Sequence, residues 1–232
     1  MKSGAATMLI LLFGAATGVT ASVNAKGSVD RVRLGARTLE IPQQYFGADD
    51  RMPFWLRWWP GLDNGSREIL LSIPSKEAAQ AIEGYQPLDG AYDDTLRLRL
   101  SAVSSEERAR YLEPKRFADI LDETRRDAPP IVESDPLTGL TRVYRSVEYP
   151  NSWESFKRPV RDLSDVNEAW LGHCIRSKSP LTASGYLALC KSTVVVDGVA
   201  VTFTTSDQNI GKVDLIRSYL STIVQGWMNA AE

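Results

Sequence analysis

The sequence predicts an α+β fold: an antiparallel sheet built from hairpins, with a few interspersed helices and a C-terminal helix. Three observations predict it. Asp197-Gly198 stands between two strand-like segments and is a strong signal for a tight hairpin. The segment TLRLRL, residues 95–100, alternates apolar and charged residues as a half-buried strand does. Apolar residues recur at helical spacing from about Lys212 to Trp227.

Hairpin and turn signals organise the first part of the chain. The strand-like segments DRVRL and TLEIP flank Gly35-Ala36-Arg37, which predicts a hairpin. REILLSI predicts a strand that ends at Pro74, and Ser75 is placed to cap the short helix KEAAQAI, which Gly84 ends. In TLRLRL the leucines face one side and the arginines face the other, so one face of the sheet should be exposed to solvent.

Helix and hairpin signals continue beyond that strand. The residues SSEE at 104–107 are a capping box, so a helix is expected to follow them. Pro114 interrupts this helix, KRFADILDETRR resumes it, and Pro129-Pro130 ends it. A hairpin is expected around the turn DPLTG at 135–139. In the C-terminal helix the expected apolar face consists of Leu215, Ile216, Tyr219, Leu220, Ile223 and Trp227.

The segment 150–165 is polar and lacks a regular pattern, so the sequence predicts a long loop there. Trp153 and Phe156 are expected to pin this loop to the protein. The following segment, VNEAWLGHC at 166–174, is compatible with either a helix end or a strand start.

Residues 1–25 have the layout of a secretory signal peptide. Lys2 precedes an apolar run at 8–16, and small residues lead to Ala25. The run is far shorter than the roughly 20 residues that span a bilayer, which argues against the alternative of a membrane anchor. We therefore expect cleavage near Ala25, a single mature α+β domain at 26–232, and a periplasmic location without stable membrane insertion.

The charge and the cysteines narrow the function classes. The formal net charge of −2 gives no concentrated positive field for nucleic acid. In an exported chain, the two cysteines, Cys174 and Cys190, predict one disulfide, against the alternatives of a reactive thiol or a metal pair. A single histidine cannot build a multi-histidine metal site, and no phosphate- or dinucleotide-binding motif occurs. We expect neither a metal nor a cofactor.

The sequence contains no recognisable catalytic constellation. His173, beside Cys174, needs a nucleophile and an orienting group to act as a base, so a structural role next to the disulfide is expected. The G-x-S-x-G motif is absent. Asp49-Asp50 and Asp93-Asp94 are carboxylate pairs that leave open a hydrolase acting through carboxylates. We expect a protein that is not an enzyme.

The aromatic stretch PFWLRWWPGLDNGS, residues 53–66, is the candidate binding segment. It contains Trp55, Arg57, Trp58 and Trp59 between two prolines. Tryptophan contributes a large apolar area to a core, so we expect most of these rings to be buried. The alternative is that one or two of them face a partner. Tryptophan and arginine are frequent anchors of protein interfaces, so these four residues are the candidate binding site.

Four segments carry a resemblance to a known class of proteins: IPQQYF, PFWLRWWPGLDNGS, DPLTGLTRVYR, and the stretch from Cys174 to Cys190 with its following hairpin and helix. In these the chain resembles the small periplasmic immunity and accessory proteins that accompany antibacterial effectors of type VI secretion systems. The resemblance implies an α+β fold, a non-catalytic role, and a protein partner such as a secreted toxin that the chain binds and neutralises. A cell-envelope hydrolase is the alternative.

Overall fold

A computed structural model describes residues 28–46, 68–87, 95–104, 131–135, 138–144, 150–159, 166–178 and 186–232. The helices are α1 (Ser75–Ala81), α2 (Val166–Ala169) and α3 (Val213–Asn229), with short 3-10 turns at Gln43–Tyr45 and Asp207–Lys212. The strands are β1 (Val29–Leu34), β2 (Arg37–Pro42), β3 (Glu68–Pro74), β4 (Thr95–Ala102), β5 (Ile131–Ser134), β6 (Thr141–Tyr144), β7 (Ser152–Phe156), β8 (Trp170–Lys178), β9 (Tyr186–Val196) and β10 (Val199–Ser206).

The strands form two antiparallel sheets. Strands β1 and β2 pair with each other, and the other eight form one sheet in the order β3-β4-β10-β9-β8-β7-β6-β5. Helix α3 packs against β9 of the large sheet and against β2 of the small one. The predicted α+β fold with a C-terminal helix is therefore confirmed.

Strand β4 shows why one face of the large sheet is buried and the other is exposed. Leu98 lies opposite Leu71 of β3 and Phe203 of β10, and all three are buried. They join Ile216 and Leu220 of α3 in the hydrophobic core. Arg97 and Arg99 are exposed on the opposite side, as the alternation in TLRLRL predicts.

The hairpin signals are also confirmed. Gly35 has a φ of 60° in the turn between β1 and β2. Strands β5 and β6 pair on either side of the predicted turn at 135–139, where Gly139 N donates to the carbonyl oxygen of Asp135 at 2.8 Å. Between β9 and β10, Asp197 has a φ of 45° and Gly198 a φ of 85°. Two successive residues with positive φ are what a type I′ hairpin requires, and that turn matches the twist of the flanking strands.

Three local expectations are wrong. Segment 150–165 contains strand β7 instead of being a loop throughout, because its polar residues find partners on the neighbouring strand β8. Ser75 is a buried residue of α1, while Pro74 occupies the N-cap without a side-chain hydrogen bond. Leu215, placed on the apolar face of the C-terminal helix, is 46% exposed, while Val224 and Met228 are buried instead.

Several predictions fall outside the described residues. They concern the signal peptide at 1–25, the helix expected from 104 to 130, and both aspartate pairs. The single domain at 26–232 also stays a prediction. In the part of the chain that the structure describes, no helix is both long enough and apolar enough to cross a membrane.

Candidate functional site

The predicted disulfide joins Cys174 of β8 to Cys190 of β9. The two residues are direct partners in the antiparallel register, with their Cα atoms 4.0 Å apart, and both are completely buried. The bond therefore cross-links neighbouring strands within the core and leaves neither sulfur as a reactive thiol or a metal ligand.

The predicted binding residues Trp55, Arg57, Trp58 and Trp59 lie outside the described residues, so their role as a binding site stays a prediction. The described residues instead form two polar features that sequence reasoning did not single out. One is a hydrogen-bonded array around His173, and the other is the exposed face of the large sheet.

The array joins a serine, the histidine and a glutamate on two neighbouring strands. Glu154 of β7 lies opposite His173 of β8, and its Oε1 is 2.9 Å from His173 Nδ1. Because a carboxylate only accepts hydrogen bonds, Nδ1 carries the proton and donates it. The other ring nitrogen, Nε2, lies 3.4 Å from the hydroxyl oxygen of Ser152, from which it accepts a hydrogen bond when the ring is neutral.

The carboxylate of Glu154 is buried, and both of its oxygens have partners. The indole Nε1 of Trp170 donates to Oε2 at 2.8 Å, while His173 donates to Oε1. A buried carboxylate without such partners would be strongly destabilising. Glu154 therefore fixes the orientation of the histidine ring through Nδ1. The His173 side chain itself remains 32% exposed.

Helix α3 supports this array through Arg217. Its guanidinium lies over the Trp170 ring at 5.5 Å from the centroid and donates to the carbonyl oxygen of Trp170 at 3.2 Å and to Ser192 Oγ at 2.8 Å. Burial lowers the pKa of Arg217, and the nearby carboxylate of Asp214 opposes that shift. The buried cation thus ties the C-terminal helix to the start of β8.

The order serine, histidine, carboxylate is that of a serine-hydrolase triad. The distance from Ser152 to His173 is longer than the roughly 2.6–3.2 Å expected between a nucleophile and its base. The sequence does not indicate which residues lie beside His173. The strand register places Ser152 and Glu154 there, on a segment for which the sequence predicts a loop.

The second feature is the outer face, by which we mean the side of the large sheet opposite α3. Strand register places its residues in rows across the sheet. One row runs through Leu70, Arg99, Thr202 and Thr193, and the next through Ser72, Arg97, Thr204, Lys191, His173 and Glu154.

The outer face is accessible over much of its width. Leu70 is 52% exposed, Ile175 beside the array is 49% exposed, and the Arg99 side chain is 52% exposed. The hydroxyls of Thr193 and Thr202 lie 3.1 Å apart between them. The arginines of TLRLRL indicated this face, but its partners on β8, β9 and β10 depend on a strand order that local patterns do not contain.

Among the described residues, no group of three or more His, Cys, Asp and Glu side chains is placed to hold a metal ion.

Comparisons with known proteins give only distant similarity. No protein-family model matches the chain, and no curated protein matches it. An immunity protein of the Stenotrophomonas maltophilia type IV secretion system is similar in structure over 86% of this chain and 93% of its own, with 12% identity and a TM-score of 0.47. The Neisseria meningitidis iron-regulated outer membrane lipoprotein FrpD is similar over 87% of this chain and 92% of its own, with 11% identity and a TM-score of 0.37.

The first of these two proteins is an immunity protein, the class named from the sequence, but it belongs to a type IV and not a type VI secretion system. Both TM-scores are too low for a function to be carried from either protein to this chain.

Proposed function

We propose that this chain is an exported binding protein that neutralises an antibacterial toxin in the periplasm, and that its role is non-catalytic. The observation that carries the proposal is the outer face, which presents cationic, hydroxyl and apolar side chains on one side of a sheet whose other side is packed against α3.

A face of this kind suits contact with another protein. Neighbouring strands lie about 4.8 Å apart, so the five adjacent strands β3, β4, β10, β9 and β8 span about 20 Å. A standard interface covers about 800 Å² on each partner, which corresponds to a patch roughly 28 Å on a side. The outer face can therefore supply much of one such interface.

The kind of partner and the periplasmic location are inferred from the sequence. The segment at 1–25 has the layout of an export signal, and the disulfide fits an oxidising compartment. The resemblance to immunity proteins names an antibacterial toxin as the partner. The experiment below needs only that sister cells deliver the toxin, by whichever secretion system they use.

The proposal is tested by competition between sister strains of the source bacterium. A strain that lacks this chain should be killed by its parent on contact, and expression of the full chain should restore survival. A version that begins at Lys26 without the leader should fail to protect, because it stays in the cytoplasm. Equal survival of the deletion strain and the parent would contradict the proposal.

A second candidate function is hydrolysis, and the Ser152–His173–Glu154 array favours it. A serine nucleophile activated by this histidine would react covalently with a fluorophosphonate probe. Labelling that is lost in Ser152→Ala and His173→Ala, but kept in Ser155→Ala, would establish this function. The binding proposal predicts no labelling of Ser152 and full protection by Ser152→Ala.

A further inference from the structure

We infer that the outer face is the docking surface, and that it fits an acidic patch on the protein partner. This inference rests on the proposed function. It adds which part of the chain makes the contact and what chemical character the partner has there.

The charge of the outer face differs from that of the chain. Arg99 and Lys191 lie on it and are exposed, and so is Arg97, which already takes part in an interaction. Among the described residues of this face, the exposed carboxylate is that of Glu68, which lies 3.8 Å from the Arg99 guanidinium. Glu154 is buried and bound by His173 and Trp170. The chain as a whole has a net charge of −2, whereas the described residues of this face include more exposed cations than exposed carboxylates.

The same face carries apolar side chains that a partner would bury. Leu70 lies directly opposite Arg99, and Ile175 lies two residues beyond His173 on β8. Each is about half exposed, at 52% and 49%. Interfaces bury such side chains centrally, while complementary charges speed association and fix the register of the partners.

The composition of the face favours an acidic protein over other partners. Specific nucleic-acid binding commonly uses about 6–10 phosphate contacts, more than these cations can make. A few cations without an inserted helix or lipid chain do not hold a protein stably on a membrane. A second copy, paired symmetrically through the same face, would place two surfaces of like charge against each other.

The inference is tested by reversing charge on the outer face in the full, exported chain. Arg99→Glu/Lys191→Glu should slow association by about tenfold or more, because complementary charge steers the encounter. In the competition between sister strains, this variant should lose protection. The matched control, Lys76→Glu/Lys178→Glu, makes the same change in net charge at exposed positions off the face and should protect like the wild type.

Folding is checked on the same variants. Arg99 Nη1 lies 3.8 Å from Glu68 Oε1, and both side chains are about half exposed. Because exposed ion pairs contribute little to stability, the loss of this pair should change the thermal midpoint little. If the reversal variant accumulates poorly, Arg99→Ala/Lys191→Ala takes its place and should still reduce protection. Full protection by a folded outer-face variant would overturn this inference and leave the proposed function intact. If the wild type itself gave no protection, both the inference and the proposed function would be contradicted.

Two further measurements test whether a second copy of the chain or a lipid surface binds to the outer face instead. The wild type should be a monomer by light scattering, and it should not sediment with phosphatidylglycerol vesicles. A dimer that Arg99→Glu/Lys191→Glu dissociates would assign the face to a second copy. Sedimentation with the vesicles that the same variant abolishes would assign it to an anionic lipid surface. Either result would overturn the inference.

Discussion

Glu77 shows how one side chain connects three parts of the fold. Its Oε1 accepts hydrogen bonds from the hydroxyl of Tyr45 at 2.6 Å and from that of Tyr219 at 3.1 Å. Tyr45 follows β2, Glu77 lies in α1, and Tyr219 lies in α3. Tyr45 also contacts the ring of Trp227, with centroids 5.5 Å apart. The carboxylate of Glu77 therefore connects helices α1 and α3 with the turn that follows the small sheet.

Removal of this carboxylate should destabilise the protein. Glu77→Ala leaves two largely buried phenols without their shared acceptor and should lower the free energy of unfolding by about 1–3 kcal/mol, measured by urea denaturation. The neighbouring Lys76 is exposed on the same helix, and Lys76→Ala should stay within about 0.5 kcal/mol of the wild type. Equal effects of the two substitutions would show that the hydrogen bonds of Glu77 add nothing.

The same cluster predicts a loss of stability at alkaline pH. Burial, and then the hydrogen bond to Glu77, raise the pKa of Tyr45 to about 12, and burial also raises the pKa of Tyr219 well above its usual value. An unfolded tyrosine ionises near pH 10, so this stabilisation is complete below about pH 10 and is lost as the pH rises toward 12. Thermal midpoints across this range should fall less steeply in Tyr45→Phe/Tyr219→Phe, and parallel curves would contradict the assignment.

At the scale of single residues, the sequence predicts the roles that follow from local pattern and chemistry. The leucines and arginines of β4 and the cysteine pair are examples. It does not predict Glu154, because a lone glutamate in a polar stretch has no periodic signal. Its partner His173 is 19 residues away and is reached only through strand pairing. The array therefore depends on tertiary structure.

Strands β7 and β8 show where local reasoning about elements fails. Strand β7 carries Ser152, Glu154 and Ser155, residues that are typical of loops, yet Glu154 and Ser155 are buried. Trp153 and Phe156 supply the apolar burial. Glu154 accepts hydrogen bonds from His173 and Trp170 of β8, and the hydroxyl of Ser155 accepts one from the indole of Trp153. By contrast, β9 and β10 have a β-branched sequence and an Asp-Gly turn, so the sequence predicts them directly.

The link between β8 and β9 should contribute measurably to stability. The disulfide closes a loop with a sequence separation of 16, and in the chain-entropy model such a cross-link stabilises by about 3 kcal/mol. Cys174→Ala/Cys190→Ala should therefore lower the free energy of unfolding by about that amount. Reduction with dithiothreitol should destabilise the wild type similarly and leave the variant unchanged. A loss below about 1 kcal/mol would mean that strand pairing alone holds this hairpin.

At the scale of the whole molecule, the sequence predicts the fold class and most hairpins but not the order of the strands. Strand β4 pairs with β10, about a hundred residues later in the chain, and no turn signal indicates that pairing. The rows of the outer face exist only because of this order. Local patterns therefore do not predict a surface that is assembled from strands far apart in the chain, even though they predict the exposure of Arg97 and Arg99.

The central claim is that a delivered toxin contacts the outer face, and site-specific photo-crosslinking in living cells tests it most directly. A photoreactive residue placed at Thr202, in the middle of the face, should form an adduct with a protein that arrives only from sister cells with an active secretion system. The same residue at Leu215, exposed on α3, should form none. An adduct with that protein at Leu215 and none at Thr202, in cells that remain protected, would contradict the account.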